Sequence, residues 1–155
     1  MLTMCRASRA SRAVNPWADP RWPEAVRREV VQHLESCYPL EGCGVILHAP
    51  DMGSWRVCPL RNVSPRPALA YAFAPEDWLA VCLQADSRGE QVKGVFHSHV
   101  DGPPTFSAED RSLAAPAGHP LLPGVSYLIA SVHRGCVSWV SEYGWADGDF
   151  QTQRV

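Results

Sequence analysis

The segment after Trp22 carries apolar residues at helical spacing. Pro23 suits the first turn of a helix, and the pair Tyr38-Pro39 interrupts the pattern at the other end. The apolar positions, three or four residues apart, are Val26, Val30, Leu34 and Cys37. Residues at this spacing share one face of a helix, so the segment is predicted to form an amphipathic helix.

Short apolar runs between turn signals predict the strands of a sheet. The predicted strands are residues 43–48, 55–60, 92–97, 125–133 and 136–143, with a possible last strand before Val155. Further helices are predicted to begin at Pro75, ending at Gly89, and at Ser107. The helix at Pro75 is expected to bury Trp78, Leu79, Cys82, Leu83 and Ala85. The order α-β-β-α-β-α-β-β predicts an α/β (α+β) fold, a mixed sheet packed with helices.

The N-terminal residues differ from the rest of the chain. Residues 1–20 are rich in Arg, Ser, Ala and Pro and show no apolar periodicity, which predicts a flexible lead-in. Ordered structure is expected to begin near Trp22, and residues 22–155 are expected to form a single domain, the usual size for a chain of 155 residues.

Charge and cysteine usage narrow the function classes. The net charge of −2 gives no global basic field, which argues against nucleic acid as a partner. The sequence contains no run of about 18 apolar residues, so no membrane span is predicted. The six cysteines are scattered singly without a C-x-x-C pair, so they are interpreted as reduced thiols of a cytoplasmic protein and not as a disulfide framework.

Chemistry concentrates between Val95 and Asp110. His97 and His99 lie two residues apart near the end of a predicted strand, so both imidazoles point to the same side and can reach one ion. Asp110, in the first turn of the following helix, would complete a set of two nitrogens and one oxygen with an open position. That arrangement is expected of catalytic zinc.

Each of these features has a simpler explanation when it is taken alone. A pair of histidines on a half-exposed strand is often only a surface feature. Ser107 followed by Asp110 three residues later is a capping-box-like helix start that needs no metal. Glu41 alone would be a solvated loop acid, and Cys43 alone a core thiol.

The joint pattern is more specific than its parts. His97, His99, Ser107 and Asp110 reproduce the spacing H-x-H-x7-S-x2-D, the signature of the JAMM (MPN-plus, or JAB) zinc metalloproteases. The segment 39–44, Pro-Leu-Glu-Gly-Cys-Gly, also resembles the glutamate segment of that family. The resemblance runs from about Trp22 to about Tyr143 and implies an MPN/JAB-like mixed sheet with cytidine-deaminase-like layering.

The resemblance also implies a role for each residue. His97, His99 and Asp110 look like ligands of one zinc ion per chain, Glu41 like the general base, and Ser107 like the hydrogen-bond donor to the oxyanion. Zinc lowers the pKa of a bound water from about 15.7 toward about 7, so a carboxylate base then suffices near neutral pH. Val100 and Phe106 stand where many bacterial members have proline, which leaves the rigidity of this loop and the substrate preference open.

The short bacterial members with a Glu-Gly-Cys-Gly segment suggest a substrate class. The chain resembles peptidases that cut a peptide or isopeptide bond after the C-terminal Gly-Gly of ubiquitin-like or sulfur-carrier proteins. Sulfur transfer and anti-phage conjugation both remain open as pathways, and the sequence indicates no oligomeric state. The alternatives are a RadC-like JAB protein linked to DNA metabolism and a non-catalytic module that binds a ubiquitin-like partner.

Overall fold

A computed structural model describes residues 17–153 as three helices and six strands. The helices are α1 (Glu24–Cys37), α2 (Pro75–Ser87) and α3 (Ala108–Ala114). The strands are β1 (Cys43–Ala49), β2 (Ser54–Leu60), β3 (Gln91–Val100), β4 (Ser126–His133), β5 (Cys136–Ala146) and β6 (Asp149–Thr152). Within residues 17–153, none of the helices has the length and apolar character needed to cross a membrane.

The six strands form one mixed sheet in the order β2-β1-β3-β4-β5-β6. Strands β3 and β4 run parallel, and every other neighbouring pair is antiparallel. A parallel pair needs a crossover connection, and the segment containing α3 supplies it. The mixed sheet with helices is therefore confirmed.

Helices cover both faces of the sheet. Helix α1 packs its predicted stripe, Val26, Val30 and Leu34, against one face, which we call the α1 face. The sheet residues buried there are Ile46, Val57, Phe96, Leu128, Ala130 and Val132. The opposite face, which we call the α2/α3 face, buries Val45, Leu47, Val95, Tyr127 and Ile129 with Val81, Ala85 and Ala114 of the two helices. The core is thus split into two layers by the sheet.

Strand β3 is longer than predicted. It begins at Gln91 and continues through both histidines to Val100, because β4 pairs alongside it from Gly94 as far as Val100. Strand β5 likewise extends to Ala146 because β6 pairs with its end. The histidines therefore lie within a paired strand, where main-chain hydrogen bonds fix their spacing.

The predicted apolar face of α2 is partly wrong. Leu79 and Leu83 are 59% and 62% exposed, whereas Val81 and Ala85 are buried. At about 100° per residue, Leu79 lies roughly opposite Val81 around the helix. Because α2 is apolar on several sides, periodicity alone could not decide which stripe faces the sheet.

Ordered packing begins before Trp22. Of the predicted lead-in, residues 1–16 lie outside the described residues, but Trp17 and Asp19 are buried. The rings of Trp17 and Trp22 lie 6.0 Å apart, and Asp19 accepts hydrogen bonds from the guanidinium of Arg21 at 2.6 and 2.9 Å. Arg27 also donates to the carbonyl of Trp17 at 2.7 Å.

The cysteine prediction holds for four residues and is wrong for one. Cys37, Cys43, Cys58 and Cys82 are free thiols. Cys136 is disulfide-bonded. The sequence contains no sign of this bond, because its cysteines are scattered singly. Cys5 lies outside the described residues.

Candidate metal centre

The two histidines project from the α2/α3 face of β3. Side chains alternate along a strand, so Val95, His97 and His99 share this face while Phe96 and Ser98 point toward α1. His97 is fully buried, and His99 is slightly exposed. The Nε2 atoms of the two rings lie 3.2 Å apart.

Asp110 reaches the same point from the first turn of α3. Its Oδ1 lies 3.2 Å from Nε2 of His97, and its Oδ2 lies 3.3 Å from Nε2 of His99. One ligand atom from each of the three residues lies within 4.8 Å of the other two. The structure therefore brings together the three residues that the sequence singles out. Because this cluster is able to bind a metal ion, we call His97, His99 and Asp110 the metal-binding group.

The donor set fits a metal ion. Nδ1 of His99 lies 2.8 Å from the carbonyl oxygen of Pro103, which can only accept, so Nδ1 carries the proton and the neutral ring keeps a lone pair on Nε2. A backbone carbonyl on the second nitrogen is how metal-binding histidines are usually oriented. His97 is instead held by Tyr71, whose ring stacks on it at 4.2 Å.

The pKa values of the three side chains depend on one another. Burial opposes the ionised form of Asp110, but hydrogen bonds with His97 and His99 hold its pKa well below the ordinary value. Burial lowers the pKa of His97, which favours the neutral ring. Burial would also lower the pKa of His99, but Asp110 and the Pro103 carbonyl outweigh it and raise the pKa. A carboxylate beside two neutral imidazoles provides ligand atoms for a metal cation.

Glu41 lies beside this group, just before β1. The first residue of β1, Cys43, pairs with His97, which brings the end of the preceding segment next to the histidines. Glu41 is only 5% exposed, and burial raises its pKa to about 7. His99 opposes the shift, while Asp110 adds to it. A buried carboxyl with a pKa near neutral can both accept and return a proton.

Ser107 is the N-cap of α3. Its Oγ accepts a hydrogen bond from the amide of Asp110 at 3.0 Å, and its own amide donates to Oδ2 of Asp110 at 2.9 Å. The predicted capping box is thus present, and Asp110 belongs to it and to the metal-binding group at once. Because Oγ acts as acceptor in the cap, its hydroxyl hydrogen remains available to donate.

The loop between β3 and α3 is anchored by contacts along its length. Three successive carbonyls, those of residues 102–104, accept hydrogen bonds from Ser131, His99 and Tyr143 respectively. Phe106 is buried in an aromatic cluster, with its ring 4.5 Å from that of Phe150. Side-chain donors and an aromatic anchor therefore hold the loop.

An apolar groove opens beside the metal-binding group. It has a volume of about 360 Å³ and lies between α2 and α3, with walls that include Phe73, Trp78, Leu113 and Leu122. Tyr71 belongs both to the groove and, through its stacking on His97, to the site. The sequence analysis missed Tyr71, for which the aromatic pair Tyr71 and Phe73 in a short extended piece was the available signal.

Comparison with known proteins places the chain in a family. The family described as prokaryotic homologs of the JAB domain matches residues 23–142, a range that contains the histidine pair, Asp110, Ser107 and Glu41. The chain belongs to this family. The resemblance to JAMM-type proteins drawn from the residues alone is confirmed.

Two relatives share 34% identity with the chain. One, named desampylase, is from Haloferax volcanii, and the match covers 60% of this chain and 63% of that protein. The other, from Thermus thermophilus, is named probable TtuB-protein conjugate cleaving protease, with 57% of this chain and 58% of that protein covered. The chain thus spans about three fifths of the length of these relatives.

Solved structures share the fold. The solution structure of protein DSY2949 from Desulfitobacterium hafniense matches with a TM-score of 0.66 at 25% identity, over 84% of this chain and 86% of that one. A protein from Salinibacter ruber matches with a TM-score of 0.57 at 29% identity, over 86% and 88%. The expected JAB-like fold is confirmed by these neighbours.

Proposed function

We propose that this chain is a zinc-dependent peptidase that cuts the peptide or isopeptide bond after the C-terminal glycine of a ubiquitin-like or sulfur-carrier protein. The observation that carries the proposal is the convergence of His97, His99 and Asp110 beside Glu41, a buried carboxyl whose pKa is raised to about 7. The names of the two relatives, a desampylase and a conjugate-cleaving protease, support the same reaction class.

One zinc ion per chain would be held by Nε2 of His97, Nε2 of His99 and a carboxylate oxygen of Asp110. Two nitrogens and one oxygen from the protein leave a fourth position open, which distinguishes catalytic from structural zinc sites. When bound, zinc activates a water molecule and polarises the scissile carbonyl. The capping box that fixes Asp110 and the Pro103 carbonyl that orients His99 prepare this geometry before the ion arrives.

Glu41 moves the proton. Its carboxylate accepts a proton from the attacking water, and the same carboxyl returns the proton to the leaving amine, so that the group ends the cycle as it began. Burial suits both steps, because a pKa near 7 makes neither the protonated nor the ionised form costly at neutral pH.

Ser107 stabilises the negative charge that develops on the carbonyl oxygen. Its Oγ accepts from the Asp110 amide and so is held in place, with the hydroxyl hydrogen free to donate. A fixed donor of this kind contributes about 3 kcal/mol to lowering the barrier in comparable sites. Capping and catalysis use different parts of the same hydroxyl.

The groove between α2 and α3 supports an extended protein tail as the substrate. It is lined mainly by apolar and aromatic side chains, and it meets the metal-binding group at Tyr71. Apolar residues that precede the terminal glycines of a ubiquitin-like protein would occupy this groove, while the glycines reach the histidines.

A defined conjugate tests the proposal. The substrate is a ubiquitin-like protein whose C-terminal Gly-Gly is joined to the lysine side chain of a short peptide, and mass spectrometry follows the products. We expect the zinc-loaded protein to release the intact modifier and the intact peptide, and zinc-loaded Glu41→Gln to be severely impaired. Cleavage at another bond, or cleavage that persists unchanged in the presence of a chelator, would refute the proposed function.

A further inference from the structure

We propose that Asn62 and Ser98 are positioning residues that hold Glu41 against the metal-binding group from two sides. The inference rests on the proposed role of Glu41 as proton carrier. Neither residue belongs to the metal-binding group, and both act on the backbone on which Glu41 is carried.

Ser98 fixes the residue after Glu41. It lies between His97 and His99 on β3 but points to the opposite face, where it is fully buried. Its Oγ accepts a hydrogen bond from the amide of Gly42 at 2.8 Å, and its own amide donates to the carbonyl of Gly42 at 3.0 Å. The residue that separates the two histidines is thus tied directly to the neighbour of Glu41.

Asn62 fixes Glu41 from the other side. Its side-chain nitrogen donates to the carbonyl of Glu41 at 3.0 Å and to the carbonyl of Ala70 at 2.9 Å. Its side-chain oxygen accepts from the amides of Ser64 and Ala72 at 3.0 and 3.1 Å. A side-chain amide with its donors and its acceptor engaged on backbone groups braces the whole loop over residues 62–72.

The loop that Asn62 braces makes a second hydrogen bond with the backbone of Glu41. The amide of Glu41 donates to the carbonyl of Pro67 at 2.8 Å, so both backbone polar groups of Glu41 are engaged. Gly42 packs closely against α1, because a Cβ at this position would lie 2.9 Å from both Leu34 and Cys37. The backbone of Glu41 is therefore held by a hydrogen bond on each of its polar groups and by the close packing of the next residue.

Fixing this backbone matters because proton transfer is sensitive to distance. A displacement of about 1 Å of a reacting group can cost on the order of 100-fold in rate. Ser98→Ala and Asn62→Ala should therefore each lower kcat by roughly 10- to 100-fold. KM for the conjugate and the zinc content should stay unchanged, because substrate and metal contact other residues.

Double variants with Glu41→Gln distinguish a role of Ser98 and Asn62 in positioning Glu41 from a general role in stability. In a Glu41→Gln background there is no carboxylate left to misplace, so adding Ser98→Ala should leave the residual single-turnover rate unchanged. The same holds for Asn62→Ala. Val30→Ala, on the α1 face, is the matched control: it should lower the melting temperature and leave kcat unchanged below the transition. An equal loss of rate from Ser98→Ala in both backgrounds would overturn the inference.

Amide hydrogen exchange tests the same contacts without activity. Ser98→Ala should speed exchange at the Gly42 amide at least tenfold, since its acceptor is removed, while amides within β4 keep their wild-type rates. Unchanged exchange at Gly42 overturns the inference, and so does faster exchange with an unchanged kcat. A Glu41→Gln variant of normal activity would instead refute the proposed role of Glu41, with Gly42 exchange still reporting on the positioning contacts.

Discussion

The two faces of strand β3 differ in what they bury. Toward α1, Phe96 fills an apolar layer and Ser98 satisfies the backbone of Gly42. Toward α2 and α3, His97 and His99 meet Asp110 in a buried polar group that opens onto a groove. Phe96 thus serves packing and Ser98 ties down the segment that carries Glu41, while the histidines on the other face meet Asp110. A slip of one residue in register would exchange the two faces.

The difference shows how a buried polar site is tolerated. Burying carboxylates and imidazoles costs free energy unless they are paired, and here Asp110 is held by two histidines and a backbone amide. Glu41 shows the remaining cost, because its raised pKa reports a carboxylate that the fold disfavours. Apolar burial on both faces of the sheet offsets this cost.

The greatest loss of activity is expected from a change at Glu41. Glu41→Gln should lower kcat by roughly 10²- to 10⁴-fold, since the amide cannot accept the proton, while zinc content and fold are retained. Kinetics of conjugate cleavage and metal analysis of the same preparation check this. Near-normal turnover would show that Glu41 is a buried acid without a part in catalysis.

The matching change on the α1 face should affect stability alone. Leu128 is 1% exposed on β4, and Leu128→Ala should lower the free energy of unfolding by about 2–5 kcal/mol through lost apolar contact and a cavity. Denaturant unfolding measures the loss, and kcat measured below the transition should stay close to the wild-type value. A kcat reduced as strongly as in Glu41→Gln would erase the distinction between the two faces.

Ser107 has both a structural role, as the N-cap of α3, and a proposed catalytic role. Ser107→Ala should lower kcat by about 10²- to 10³-fold with KM little changed. Loss of the cap should also lower stability by about 1 kcal/mol. Ser107→Asp keeps a cap but places negative charge beside the oxyanion, so it should restore stability and not activity. Full activity in Ser107→Ala with a lower melting temperature would leave capping as its whole role.

The smallest effect is a pH-dependent cost of Glu41 in the metal-free protein. The folded pKa of about 7 lies above the ordinary value of 4.5, so the folded state binds the proton more tightly and loses stability as pH rises between these values. Relative to Glu41→Gln, the wild type should lose about 1–3 kcal/mol between pH 4.5 and pH 8. Thermal unfolding of both proteins across this range measures the loss, and a pH-independent difference would contradict it.

Sequence reasoning succeeded where the signal is local. The stripe of Val26, Val30 and Leu34 predicts α1, and a fixed spacing of four residues predicts that two histidines and an aspartate come together. The short final strand was anticipated only as a possibility, and it forms as β6 in a hairpin with β5.

What depends on distant contacts was missed. Asn62 resembles any loop asparagine until the fold brings the carbonyl of Glu41 to it, and Ser98 was passed over as the residue between two histidines. Leu79 looked buried because α2 is apolar on several sides, and only docking on the sheet selects Val81. In each case tertiary contacts, which no local pattern encodes, decide the role.

We propose that His97, His99 and Asp110 together bind one catalytic zinc ion. Metal analysis of purified wild type and of the His97→Ala, His99→Ala double variant tests it most directly, with circular dichroism to verify that both are folded. We expect about one zinc per chain in the wild type and none in the double variant, since a single remaining carboxylate cannot retain the ion. Stoichiometric zinc in the folded double variant would contradict it.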